Sequence, residues 1–140
     1  MRCKTVLCVL IAALLWPFAV TMAAEDFVII VNKDNTNAVD RELVTKIYRG
    51  ETKSWAGGGS VVPYALPEEN TVRAAFDKAL LNKSPAQSKA LWAQLTFTGK
   101  ALPPKIADSD AEVVKAVSEN KNAIGYVAPH AASDKVKVVK

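Results

Sequence analysis

The stretch SDAEVVKAVSENKNAIGYVA, residues 109–128, contains a helix with a well-marked start, followed by a short apolar strand. Ser109 and Glu112 have the spacing of a capping box, in which both side chains accept hydrogen bonds from free backbone N–H groups at the helix start. The apolar and β-branched run at residues 123–128 is typical of a core strand. Three valines share one face of the predicted helix: Val113, Val114 and Val117. A helix that packs beside such a strand favours an α/β fold.

Outward from this stretch, strands and helices alternate along the chain. Further strands are predicted at residues 27–31, 61–66 and 136–139. Pro63 would place the second of these at a sheet edge or leave it paired on one side, and the lysines around the last are typical of an edge strand. Further helices are predicted to begin at Asp40, at Asn70 or Thr71, and at Ser84. The predicted fold is a small mixed sheet flanked by helices, with residues 97–104 as a non-helical connector.

Two of these helices have apolar faces that should reach the core. The helix after Asn70 is predicted to bury five residues at three-and-four spacing: Val72, Ala75, Phe76, Ala79 and Leu80. The helix after Ser84 opens with a capping box and a proline, and its core face is predicted to be Leu91, Trp92 and Leu95. Trp55, beside three glycines, is compatible with either the core or a ligand surface.

The first 24 residues have the layout of a secretory signal peptide. A basic start precedes an apolar run from Val6 to Val20, and small residues follow it. A membrane anchor is the competing interpretation, but this run of 15 residues is shorter than the roughly 20 needed to span a bilayer. We therefore expect cleavage near Ala24 and a periplasmic domain at residues 25–140. Both cysteines lie within the predicted signal, so the domain would have no disulfide.

The charge balance argues against a nucleic-acid partner. The formal net charge of +4 falls to +2 once Arg2 and Lys4 leave with the signal peptide. No cofactor or metal site is predicted, because His130 is the single histidine and lies in a predicted loop. Carboxylates at Glu68, Glu69, Asp108 and Asp110 precede helices, where the helix dipole favours them without any chemistry. We predict that the chain is not an enzyme.

One helix start could bind a small oxyanion. Helix starts present unpaired backbone N–H groups and a partial positive charge, and Asn70, Thr71 and Arg73 cluster at this one. Glu68 and Glu69 would repel an anion there unless they point away or pair with Arg73. The alternative is an ordinary capped helix with Arg73 exposed.

A series of short motifs resembles the phosphate-type substrate-binding proteins of ABC transporters. They occur in the same order as in that family and cover residues 27–127. The motifs are Ile47-Tyr48-Arg49-Gly50, Lys53-x-Trp55, Val62-Pro63, Arg73-x-x-Phe76, Leu91-Trp92, Phe97-Thr98-Gly99-Lys100, Pro103-Pro104 and Ala123-Ile124-Gly125-Tyr126-Val127.

The resemblance implies a single lobe, equivalent to half of a type 2 periplasmic binding protein. Family members have two lobes that close on a ligand, and this chain begins at the equivalent of their middle. The family's Ser-Gly-Thr ligand motif corresponds to Glu69-Asn70-Thr71, in which Thr71 matches. The resemblance therefore implies Thr71 and Arg73 as ligand-binding residues, with Asn70 as a cap that assists.

Together these features predict a periplasmic protein that binds a small ligand, such as phosphate or another oxyanion, without catalysis. A membrane transporter or another envelope protein is the expected partner, and a homodimer could enclose a ligand that one lobe leaves half exposed. The alternative function is an envelope interaction module that kept the fold and lost ligand binding.

Overall fold

Five strands form one mixed sheet in the computed structural model, which describes residues 26–139. The predicted signal peptide, residues 1–24, lies outside the described residues. The strands are β1 (Val28–Asn32), β2 (Val62–Ala65), β3 (Lys105–Ile106), β4 (Ala123–Val127) and β5 (Val136–Val139), in the spatial order β3-β2-β4-β1-β5. The predicted fold class, a small mixed sheet flanked by helices, is confirmed.

The parallel part of the sheet is formed by β2, β3 and β4. β2 runs parallel to β4 on one side and to β3 on the other, whereas β1 is antiparallel to both β4 and β5. β2 is therefore not at the sheet edge. Pro63 is nevertheless paired on one side, because it faces Ile124 of β4 while β3 pairs with Tyr64 and Ala65. The predicted edge position of the last strand, β5, is confirmed.

The helices begin where the capping residues predict. They are α1 (Arg41–Tyr48), α2 (Thr71–Phe76), α3 (Pro85–Phe97) and α4 (Asp110–Glu119), with a 3-10 turn at Pro129–Ala131. Asp40, Asn70, Ser84 and Ser109 each accept a hydrogen bond from the first turn of the helix they cap. After α1, Gly50 has φ +75°, the left-handed geometry that the predicted helix end requires.

The continuation of α2 differs from the prediction. α2 passes directly into a π-helical turn, Asp77–Leu81. Its hydrogen bonds span five residues instead of four, so the positions that face the core shift by one residue. Ala79, predicted to be buried, is exposed, and Leu81 is buried in its place. The wider turn also buries Asp77, which the regular helical spacing did not predict.

The end of α3 and the connector after it also differ. Trp92 is buried as predicted, but Leu91 and Leu95 are half-buried. β3 was not predicted, because its two exposed residues have no apolar pattern and the strand forms through its pairing with β2.

The helices cover the sheet from both sides. α4 packs on the face that contains Gly125, where an added Cβ would lie 2.5 Å from Val113 Cγ1. On the opposite face the Phe76 ring stacks on Tyr126 at 3.8 Å, and Tyr48 packs edge-on at 4.8 Å from Phe76. Trp55 belongs to the core, and its Nε1 donates to the Asn122 carbonyl at 3.0 Å.

The described residues contain a complete hydrophobic core. All five strands, the four helices and the buried cluster lie between residues 27 and 139. A domain with its own core folds independently of flanking segments. The described residues therefore have the core that an independently folding domain needs, and the predicted domain bounds at residues 25–140 stay a prediction.

Candidate functional site

The candidate site lies at the carboxyl ends of the parallel strands. β2 is followed by α2 and β3 by α4, so both helices begin at this edge of the sheet. In open α/β sheets, ligands bind outside the carboxyl ends of the strands, where loops and helix starts meet. The three predicted ligand residues, Asn70, Thr71 and Arg73, all follow β2 at this edge.

Asn70 is the cap of α2. Its side-chain oxygen accepts from the Val72 N–H at 2.8 Å, and its own N–H donates to the Pro67 carbonyl at 3.0 Å. These bonds fix the loop between β2 and α2. The predicted capping role of Asn70 is confirmed.

Thr71 is exposed at the first position of α2. The first backbone N–H groups of a helix have no partner within the helix, so the surface around Thr71 is rich in hydrogen-bond donors. The Thr71 residue itself is accessible from solvent.

The two glutamates before α2 do not pair with Arg73. Glu68 instead accepts from the Lys89 ammonium of α3 at 3.0 Å, and Glu69 is exposed. The Lys89 charge offsets the repulsion that Glu68 would exert on an anion at the helix start.

Arg73 is buried, with 7% of its surface exposed. Its Nη1 donates to the Leu66 carbonyl at 3.0 Å, and its Nε donates to the Asp77 carboxylate at 3.3 Å. The side chain therefore turns back beneath the end of β2, and the alternative of an exposed Arg73 is wrong. Thr71 and Arg73 belong to the same helix turn, but one faces solvent and the other faces inward.

Asp77 is the buried partner of Arg73, with 3% of its surface exposed. Burial raises the pKa of the Asp77 carboxyl to about 6, against the charge and hydrogen bond of Arg73, which lower it. Asp77 was not predicted to belong to the site. The only available signal was the spacing of four residues between Arg73 and Asp77, which is common on exposed helix surfaces.

Two tyrosines complete the polar base of the site. Tyr126 accepts at its hydroxyl from the Leu66 N–H at 3.3 Å, and the Tyr48 hydroxyl donates to the Tyr64 carbonyl at 2.6 Å. Burial raises the pKa of both hydroxyls above their usual value, so both stay neutral near pH 7. They hold the end of β2 in place without adding charge.

Arg73 lines a surface hollow of about 710 Å³, which we call the Arg73 hollow. Its polar base contains Arg73, Asp77 and Tyr126, and α3 and the connector form an apolar wall that includes Trp92, Phe97 and Ile106. The hollow lies under the same strand end that leads into the Asn70 cap. The structure thus places a buried cation and an exposed threonine in the first turn of the same helix.

Two further observations on the described residues concern metal binding and membrane-spanning helices. His130 is exposed in the 3-10 turn, and between residues 26 and 139 no three side chains of the metal-binding types cluster together. Within the same range, no helix has both the length and the apolar character needed to cross a bilayer.

Three solved structures share this fold. An ABC-type phosphate transport receptor from Vibrio cholerae has a TM-score of 0.65 and 17% identity over 82% of this chain. A phosphate ABC transporter substrate-binding protein from Clostridium perfringens, solved with bound phosphate, has a TM-score of 0.64 and 22% identity over 82%. PstS from Borrelia burgdorferi has a TM-score of 0.61 and 16% identity over 81%.

The chain spans less than half of each of these proteins: 45%, 44% and 46% of their lengths. This coverage confirms the predicted form, a single lobe resembling half of a type 2 periplasmic binding protein. No curated protein matches the chain. The family described as the PBP superfamily domain matches residues 17–137, and the chain therefore belongs to that family.

Proposed function

We propose that this chain is a periplasmic substrate-binding-like protein that recognises a small oxyanion, such as phosphate, without catalysis. Asn70, Thr71 and Arg73 are the proposed ligand-binding residues. The observation that carries the proposal is the placement of the α2 start at the carboxyl edge of a lobe whose fold matches phosphate receptors.

The electrostatics of this edge support an anionic ligand. A helix start carries a partial positive charge that favours an anion. Glu68 is paired with Lys89, and Asp77 is paired with Arg73, so two of the three carboxylates near the α2 start have a cationic partner, while Glu69 is exposed to solvent. The Thr71 hydroxyl and the first-turn N–H groups other than that of Val72, which Asn70 already accepts, would bind the oxyanion directly.

Arg73 would contribute from the inner side of the loop. Its guanidinium has five N–H donors, and its bonds to Leu66 and Asp77 use its Nε and one N–H of Nη1. The side chain also lines the Arg73 hollow. We propose that Arg73 orients the loop before α2 and supplies positive charge behind the bound anion.

The proposed location rests on the sequence. The signal-like residues 1–24 support export, and the proposed partner is a membrane transporter or another envelope protein. A single lobe covers a ligand from one side, so we propose that a second copy or a partner lobe closes over the α2 start.

Calorimetric titration with phosphate, sulfate and molybdate tests the proposed function. Residues 25–140 should bind at least one of these anions with saturable heat. Thr71→Val should weaken that binding about tenfold or more, because a hydrogen bond to a charged group is worth about 1.5–3 kcal/mol. Thr36→Val is the matched control, because Thr36 is exposed in the turn after β1 and should leave binding unchanged.

The absence of anion binding would contradict the proposal. If none of the three anions produces heat, and none raises the melting temperature, the oxyanion proposal is wrong. That result would favour the alternative, an envelope interaction module with this fold.

A further inference from the structure

Exposed apolar side chains are concentrated in one short segment. Phe97 is 93% exposed, Leu102 81% and Ile106 55%. Among the described residues, one other large apolar side chain is similarly exposed, Val138 of β5. We call residues 97–106, from the end of α3 to β3, the apolar ridge.

The backbone of the apolar ridge is fixed at both ends. The Lys100 N–H donates to the Leu95 carbonyl at 2.9 Å, which ties the ridge to the last turn of α3. At the other end Lys105 and Ile106 pair with β2. The exposed apolar side chains therefore project from an ordered part of the fold.

Three lysines lie in or next to the apolar ridge. Lys100 and Lys105 belong to the ridge, and the Lys53 ammonium donates to the Lys100 carbonyl. All three lysines line a second hollow of about 490 Å³, whose lining contains no carboxylate. Among the described residues none of them forms an ion pair, whereas Glu68 and Asp77 near the ridge are already paired. These three lysines therefore carry positive charge without an ion-pair partner within residues 26–139.

We propose that the apolar ridge docks on the surface of an anionic phospholipid bilayer. Phe97, Leu102 and Ile106 would enter the boundary between headgroups and acyl chains, and the three lysines would lie among the headgroup phosphates. This combination of apolar and basic side chains is the one that binds proteins to anionic membrane surfaces.

The lysines favour a lipid surface over a protein partner. Lysine is depleted in protein interfaces, since burying its ammonium is costly. At a membrane surface the lysine stem packs on apolar groups while the ammonium stays at the hydrated headgroups. Phe97 and Leu102 also project outward, and a bilayer accepts projecting side chains without a matching pocket.

Docking would bring the Arg73 hollow close to the membrane. Phe97 and Ile106, which belong to the ridge, also line that hollow. Its rim would therefore lie at the lipid surface. The inference does not depend on oxyanion binding, so it can fail or succeed independently of the proposed function.

Vesicle sedimentation tests the inference. Residues 25–140 are used, because the apolar run at residues 6–20 would itself enter lipid. The protein should sediment with vesicles of phosphatidylglycerol and phosphatidylcholine at 3:1, and not with phosphatidylcholine alone. Raising the salt concentration should release it, since salt screens the attraction between exposed charges.

Two kinds of variant separate the apolar and basic contributions. Phe97→Ser and Leu102→Ser should each lower binding about tenfold while leaving the melting temperature unchanged, because both side chains are exposed. The double variant Lys100→Gln/Lys105→Gln should lower binding about 25-fold, at about fivefold for each lysine. The matched control is Lys115→Gln/Lys121→Gln, which removes the same charge from exposed positions in and after α4.

Three results would overturn the inference. The first is no sedimentation with the anionic vesicles. The second is equal loss in the ridge and control lysine variants, which would reduce the effect to net charge. The third is a dimer that forms with rising protein concentration and is abolished by Phe97→Ser, while vesicle binding by the same variant is unchanged. That result would assign the ridge to contact with a second copy of the chain.

Discussion

At the scale of single residues, Asp77 is a buried carboxyl whose pKa is raised toward neutral pH. It is buried beside Arg73, and burial raises the pKa of its carboxyl to about 6 from 3.8. The folded protein therefore binds a proton at Asp77 at a higher pH than the unfolded chain does. The stabilisation from this proton is fully present below about pH 4 and is lost as the pH rises through 6.

Asp77→Asn should remove this part of the pH dependence. Between pH 7 and pH 4.5, the free energy of unfolding of the unmodified chain should rise relative to that of Asp77→Asn by about 2 kcal/mol. Taking the difference between the two proteins cancels the titration of the other carboxylates. Urea unfolding at four pH values measures it, and a difference that does not change with pH would contradict the pKa of Asp77.

Gly125 is required where α4 packs on β4. An added Cβ would lie 2.5 Å from Val113 Cγ1, far inside normal contact distance. Gly125→Ala should therefore lower the free energy of unfolding by about 1–3 kcal/mol.

The matched partner variant is Val113→Ala. In the double variant the smaller side chain makes room for the new methyl group, so the combined loss should be less than the sum of the two single losses. Additive losses in urea unfolding would show that the contact between α4 and β4 is not the cause.

At the scale of secondary structure elements, the caps were the best predicted features. Ser84 and Ser109 mark helix starts through residues that are close in sequence, and both starts are confirmed. The π-helical turn after Phe76 and the short strand β3 were not predictable in this way. The first depends on packing that buries Asp77 and Leu81, and the second on pairing with β2, so both are set by contacts distant in sequence.

The Asn70 cap offers a stability test at this scale. Asn70→Ala should lower the free energy of unfolding by about 1 kcal/mol, because the Val72 N–H loses its acceptor. Asn70→Gly should cost only a few tenths of a kcal/mol, since glycine is tolerated at this position. Urea unfolding distinguishes the two, and equal stability of Asn70→Ala and the unmodified chain would contradict the capping role.

The positions of the predicted ligand residues could be predicted from the sequence, but the orientations of their side chains could not. Asn70, Thr71 and Arg73 are neighbours in the chain, and the structure confirms that they share the start of α2. Their orientations were not predictable, because the burial of Arg73 depends on Leu66 and Asp77. Whether the three residues bind a ligand stays a prediction.

At the scale of the whole molecule, the order of elements and motifs was sufficient to predict the lobe. The mixed sheet, the single-lobe form and the family are all confirmed. The hollows were not predictable, because their walls combine residues from β2, α3 and the connector. The chain spans 45% of the length of the Vibrio cholerae receptor, so a ligand bound as proposed would be covered by this lobe from one side only.

This incomplete enclosure predicts ligand-linked dimerisation. Two copies that close over the same α2 start would shield an oxyanion from both sides, so phosphate should favour a dimer. Light scattering after size-exclusion chromatography should give the mass of one chain without phosphate and of two chains with it. A monomer in both conditions would contradict a shared ligand site.

The most direct test of oxyanion recognition at the α2 start is a phosphate titration followed by proton–nitrogen NMR of labelled residues 25–140. We predict saturable shifts centred on the backbone N–H signals of Thr71, Val72 and Arg73, with smaller changes at Asp77. Saturable shifts confined to other parts of the chain, or no shifts at millimolar phosphate, would contradict the proposed site.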